Sequence, residues 1–152
     1  MIHIVDDNPL VLDVMVELVG LFGFKIRHFA SSQDYLDYAT SDNYQQPIAV
    51  FCDVMMPGLD GFELMNRVHA RYPHCRFIIM SGDDSTSHRD KRGACIYLLK
   101  PIHFKTLERV FNHLRICREC GPSHSLADTW ADDRNFFDVT DTRCPFLSDK
   151  DI

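Results

Sequence analysis

The 152-residue chain reads as an α/β protein: a doubly wound, five-stranded parallel sheet with helices on both faces. Two observations predict this. Short apolar runs alternate with stretches of helical periodicity across residues 1–120. One run, Ile48-Ala49-Val50-Phe51-Cys52, is apolar at every position, as in strands covered on both faces. The alternation supplies the crossover that parallel neighbours need.

The elements follow in order. Ile2-His3-Ile4-Val5 reads as the first strand. Asn8 caps a helix with Pro9 in its first turn, where the missing N–H costs nothing. Leu10, Val11, Val14, Leu18 and Leu21 recur at helical spacing, and Gly23 suits the stop. Lys25 to Phe29 is the second strand, and Ser31 or Ser32 caps a helix carrying Tyr35, Leu36 and Ala39. After the third strand come a Gly/Pro-rich loop, Met55 to Gly61, and a helix with Phe62, Leu64, Met65 and Val68. Arg76 to Met80 and Ala94 to Leu99 are the fourth and fifth strands. A last helix turns Phe104, Leu107, Val110, Phe111 and Leu114 inward. Between those two strands Asp83 to Arg92 carries no apolar stripe, which predicts a short or irregular helix there.

Composition narrows the function. The chain is 45 % hydrophobic and 25 % charged, the mix of a soluble globular protein. No run is long enough to span a bilayer, and the start lacks the pattern of a secretory signal. A net charge of −6 does not draw in nucleic acid or anionic membrane. Six scattered cysteines read as small apolar residues in a reducing cytoplasm.

In such sheets ligands bind beyond the carboxyl ends of the strands. There the sequence places Asp6-Asp7, Asp53, Ser81 and Lys100. Three carboxylates so close repel one another, and a hard divalent cation such as Mg²⁺, with oxygen ligands, relieves that. Lys100 and Ser81 supply donors for phosphoryl oxygens. A nucleophile, a cation and such donors are what phosphoryl transfer to a carboxylate needs. Cys52 points to the opposite face of its strand and reads as core. His3, His28 and His69 lack ligand spacing.

Over about residues 1–117 the chain resembles the receiver domains of two-component response regulators, the CheY-like family. The resemblance rests on Val5-Asp6-Asp7, Asp53 through Gly61, Ser81-Gly82, Gly93-Ala94 and Tyr97-Leu98-Leu99-Lys100-Pro101. It implies a flavodoxin-like strand order, 2-1-3-4-5. It implies Asp53 as phosphoacceptor for a histidine kinase or histidine phosphotransfer protein. Mg²⁺ (or Mn²⁺) would sit on Asp7, Asp53 and the Met55 backbone carbonyl, with Asp6 acting largely through water. Ser81 and Lys100 would bind phosphoryl oxygens. Lys100-Pro101 would be cis, and Tyr97 would be an aromatic switch turning inward as Ser81 moves to the phosphate. The interval from Ser81 to Lys100 is shorter than the family shows, and this puts the usual activation surface in question. The implied protein signals by binding an unknown downstream protein rather than by catalysis.

Two alternatives stay open. One is a small Mg-dependent aspartyl-phosphate phosphatase or phosphotransferase of the haloacid-dehalogenase type, although neither Asp6-Asp7-Asn8 nor Asp53-Val54-Met55 fits its DxD motif. The other is a dimeric interaction module built on the tail.

That tail, residues 121–152, is a C-terminal extension to a receiver domain over 1–120. Seven aspartates against Arg134, Arg143 and Lys150 carry −4 of the chain's −6. Trp130, Phe136, Phe137, Val139, Phe146 and Leu147 give it more apolar area than a solvating tail carries, which predicts docking on the receiver, a second copy or a target. It is too short for its own core and holds no DNA-reading motif. Cys117 and Cys120, with His124 and Cys144, offer a Cys₃His zinc site, against free thiols or a Cys117–Cys120 disulfide.

Overall fold

A computed structural model describes residues 1–82 and 96–116, and the backbone of 136–137. The elements are β1 (Ile2–Val5), α1 (Pro9–Leu21), β2 (Ile26–Phe29), α2 (Ser32–Thr40), β3 (Ala49–Asp53), α3 (Gly61–Arg71), β4 (Phe77–Ser81), β5 (Ile96–Leu99), α4 (Phe104–Ile116) and β6 (Phe136–Phe137). The first five strands are parallel and lie in the order 2-1-3-4-5, as expected. The sixth was not foreseen: β6 runs antiparallel beside β5, with Tyr97 opposite Phe137 and Leu98 opposite Phe136.

Strand alternation builds two cores. Ile2, Ile4, Ala49, Phe51, Ile78, Met80, Ile96 and Leu98 face α1 and α4. Val5, Val50, Cys52, Phe77, Ile79 and Tyr97 face the other way, towards α2 and α3. β1, β3 and β4 are buried at every residue, which is why their sequences are apolar almost without interruption.

Side-chain oxygens cap three helices. Asn8 accepts from the Leu10 N–H, Ser31 from the Asp34 N–H and Asp60 from the Glu63 N–H. Gly23, at φ 77°, follows α1 in the left-handed conformation that glycine adopts freely.

In two helices the buried residues differ from the apolar pattern of the sequence, although Val11 and Leu18 of the α1 pattern do pack against the core. In α1 the buried residues are Leu12, Met15 and Val19, whereas Leu10 is 73 % exposed and Val14 and Leu21 are exposed too. The helix is apolar on most of its circumference, so two stripes satisfy the helical period, and contact with the sheet decides between them. In α4, Leu107, Val110, Phe111 and Leu114 are buried but Phe104 is 51 % exposed. It lies in the first turn, at the helix's rim, where its ring stacks on Phe22 with centroids 5.5 Å apart.

The irregular helix expected over 83–92 and the proposed zinc ligands Cys117, Cys120, His124 and Cys144 lie outside the described residues.

Candidate functional site

The carboxyl ends of β1, β3, β4 and β5 meet at one rim of the sheet. β1 delivers Asp6 and Asp7 immediately past its last residue, and β3 ends in Asp53. Ligand oxygens of these three acids lie within 4.8 Å of one another. Asp6 is fully buried, Asp53 is 6 % exposed and Asp7 is exposed. Lys100, just past β5, reaches into the group. Its Nζ lies 2.8 Å from Asp6 Oδ2 and 2.8 Å from Asp53 Oδ1. Ser81 closes β4 and is buried, and its carbonyl accepts the Lys100 N–H at 2.7 Å. The residues expected from strands 1, 3, 4 and 5 therefore stand at one rim of the sheet, with Asp6, Asp7, Asp53 and Lys100 drawn together there.

Local chain geometry explains how the acids are held. Asp6 Oδ1 accepts the Asn8 N–H at 2.9 Å, so its other oxygen is turned to Lys100. Asn8 thus has two roles, capping α1 and fixing Asp6. Behind Asp53, the start of α3 comes very close. A Cβ on Gly61 would stand 2.1 Å from the Asp53 backbone oxygen. Only glycine permits that approach. The Gly61 N–H donates to the Val54 carbonyl at 3.0 Å, and the Val54 N–H to Met80 at 2.9 Å, so the backbone around Asp53 is tied to both neighbours. Residue-type reasoning read Gly61 as a turn residue; its contact with Asp53 depends on how α3 folds back over β3, which no local pattern encodes.

Electrostatics follow from this crowding. Burial pushes the Asp53 carboxyl up; the hydrogen bond and charge of Lys100 pull it down, while Asp6 and Asp7 add to the rise, and the net direction is upward. Burial disfavours the Lys100 charge, but its contacts with Asp53 and Asp6 outweigh that and hold its pKa above the ordinary lysine value. Three carboxylates beside one ammonium leave the pocket short of positive charge. Closely set oxygens with nothing softer among them are the donor set of a hard cation.

Met55 lies two residues past Asp53 with its side chain exposed. Lys100-Pro101 is cis, the isomer the resemblance implies. Tyr97 is buried, its ring 5.9 Å from that of Phe62, so the inward position is the one the ring occupies. Cys52 is core, on the face opposite the rim residues, and burial raises its thiol pKa well above the ordinary value.

Comparison with known proteins agrees with this geometry. The family model for the response regulator receiver domain matches residues 2–112, and the chain belongs to that family. It is 30 % identical over 121 residues to the uncharacterized transcriptional regulatory protein YesN of Bacillus subtilis, matching 75 % of this chain and 33 % of that protein. It is 32 % identical over 116 residues to the two-component response regulator ARR11 of Arabidopsis thaliana, matching 73 % of this chain and 22 % of that one. The chain thus spans a third or less of the length of these curated relatives. Its fold matches that of the response regulator protein TrrA of Thermotoga maritima, solved in complex with Mg²⁺-BeF, with a TM-score of 0.66 and 23 % identity over 74 % of this chain and 96 % of that one.

The chain is accordingly a two-component response-regulator receiver, a signalling module of the kind phosphorylated by histidine kinases or phosphotransfer proteins. Among the described residues no helix is long and apolar enough to cross a membrane.

Proposed function

We propose that this receiver takes a phosphoryl group on Asp53 and signals through contact with another protein. The observation that carries the reading is the convergence of Asp6, Asp7 and Asp53 on Lys100 at one sheet rim. An Asp53 carboxylate oxygen attacks the phosphorus of a phosphohistidine, the P–N bond breaks, and the histidine leaves with the bond's electron pair. Asp53 keeps an acyl phosphate. Lys100, already at hydrogen-bond distance from Asp53, is placed to follow the new negative charge onto a phosphoryl oxygen. Ser81, at the end of the adjacent strand, is the second donor.

The acidic set fits Mg²⁺ (or Mn²⁺), with Asp7, Asp53 and the Met55 backbone carbonyl as direct ligands and Asp6 acting through water. When bound, the ion neutralises charge on the phosphoryl oxygens. Asp6 remains engaged with Asn8 and Lys100, which suits it to the indirect role.

Incubation with acetyl phosphate and Mg²⁺ tests the assignment. The expected result is one acyl phosphate, a mass gain of one phosphoryl group, abolished by Asp53→Asn and by chelation. Label that survives Asp53→Asn overturns the assignment of the acceptor.

A further inference from the structure

We propose that the outward stripe of α1 is a self-association surface, on which two copies of this chain pair about a two-fold axis running along the helix.

α1 is apolar on more of its circumference than one sheet covers. Its buried residues are Leu12, Met15 and Val19. The other side carries Val11, Val14, Leu18 and Leu21, spaced 3-4-3, with Leu10 beside them. That spacing is the apolar seam by which two near-parallel helices pack. A helix apolar all round is ordinarily covered all round. Here Val11 and Leu18 are half-buried, at the stripe's inner margin, while Leu10, Val14 and Leu21 are exposed. The described residues include five exposed large apolar side chains; these are three of them, and Phe104 of the adjoining α4 is a fourth. Clustering of that kind marks an interaction site, whereas scattered apolar residues do not. A groove of about 580 Å³ runs beside the stripe, walled by Val11, Leu18, Ile102 and Leu107, and gives the ridge of a second helix somewhere to sit.

The charges select the occupant. The charged residues of α1 are Asp13 and Glu17, a balance of −2. α4 sets Lys105, Arg109 and Arg115 against Glu108, 3 − 1 = +2. Asp13 and Glu17 are exposed on one flank of the stripe, and the groove lies on the other, with α4 beyond it. A two-fold axis along α1 sets stripe on stripe. It also carries the acidic flank of each copy to the basic α4 of the other, so that Glu17 meets Lys105 twice in the pair. An unrelated protein would have to supply both the apolar ridge and the matching charges; a second copy holds them already. The chain's own segment 121–152 carries −4 and would bring like charge to Asp13 and Glu17. Its residues 136–137 stand at the β5 edge instead. A seam of four residues makes a weak pair, with Kd roughly 10–100 µM, at the low end of specific interfaces.

Sedimentation equilibrium of the full chain tests this. Between about 1 and 300 µM the mean mass should rise from 17.6 kDa towards twice that value. A mass that stays at 17.6 kDa throughout overturns the proposal. Val14→Glu and, separately, Leu21→Lys place a charge on the seam at exposed positions. Each should weaken pairing at least tenfold, with circular dichroism at 1 µM, where the parent is monomeric, unchanged. Pairing undiminished in both variants puts the contact elsewhere and overturns the site. Glu17→Lys and Lys105→Glu should each weaken pairing about fivefold, and the double variant should recover it. A double variant no tighter than the single ones overturns the two-fold arrangement.

Discussion

Lys100 is the side chain on which the acidic rim turns. It stands 2.8 Å from two carboxylates, one of them fully buried, and is itself a quarter exposed. Removing it leaves Asp6 and Asp53 facing each other without that ammonium, the situation in which losing one member of a pair costs most. Lys100→Met should therefore destabilise the protein, by about 1–3 kcal/mol once solvent access to the lysine is allowed for. It should also make the pocket more dependent on external cation. The rise in melting temperature from adding 10 mM Mg²⁺ is expected to be larger in the variant than in the unaltered chain. Equal rises would mean that Lys100 does not compete with a cation for the same oxygens. At this scale the sequence was informative. Asp6, Asp7, Asp53, Ser81 and Lys100 stand immediately at strand ends, and position along the chain maps directly onto position at the rim. The second role of Asn8 was not legible, because its N–H meets Asp6 only through the turn between β1 and α1.

At the scale of elements, α1 and α3 show where pattern runs out. Both stripes of α1 obey the helical period, and the residues at the core are Leu12, Met15 and Val19 rather than Leu10, Val14 and Leu21. The assignment makes opposite demands on neighbouring positions. Met15→Ala should cost about 2–5 kcal/mol in chemical denaturation. Val14→Glu, one residue away, should stay within roughly 0.5 kcal/mol of the parent. A reversal of these magnitudes would put the other stripe against the sheet. α3 was easier to place, because its apolar residues Phe62, Leu64, Met65 and Val68 all fall on the buried side. Its first residue was not. Gly61 has no room for a methyl group against the Asp53 carbonyl, the Asp53 carbonyl carbon and Cys52 Sγ. Gly61→Ala must push α3 away from β3 or displace the acceptor loop, at about 1–3 kcal/mol. The acyl phosphate yield should fall with it, although no atom of Gly61 belongs to the acidic set. Full stability with full labelling would show that the loop yields without effect on Asp53.

For the molecule as a whole, the three-layer arrangement was legible because each strand alternates between two cores, and the edges were not, because an edge depends on what lies beside it. β6 closes one edge, and its two residues stood in the sequence only as part of an apolar tail. Towards the other edge, His3 of β1 is fully buried under an aromatic cluster. Its ring meets Phe29, Tyr35, Tyr38 and Tyr44 edge-on, with centroids 5.6–6.2 Å away, and its Nδ1 lies 3.2 Å from the Tyr35 hydroxyl. Nε2 is buried with no hydrogen-bond partner among the described residues. Burial, with smaller contributions from the Arg27 charge and the N-terminal amine, lowers the His3 pKa from 6.5 to about 4. Spacing could only show that this histidine was not a metal ligand; its burial in an aromatic cage comes from the packing of α2 and the 41–46 loop over β1. The consequence is global. Well above pH 6.5 the imidazole is neutral in both the folded and unfolded chain and adds no pH dependence. As the pH falls below 6.5 the unfolded chain takes up a proton that the folded chain refuses, so stability is lost until about pH 4, where the folded state protonates too. One pKa unit corresponds to about 1.4 kcal/mol, so between pH 7 and pH 5 this one residue should remove about 2 kcal/mol. His3→Phe keeps a ring in the cage and cannot titrate. Urea denaturation at pH 7, 6 and 5 should show the parent losing that much more stability than the variant over the interval. Parallel slopes for the two proteins would mean that His3 takes up its proton in the folded state as readily as in the unfolded one.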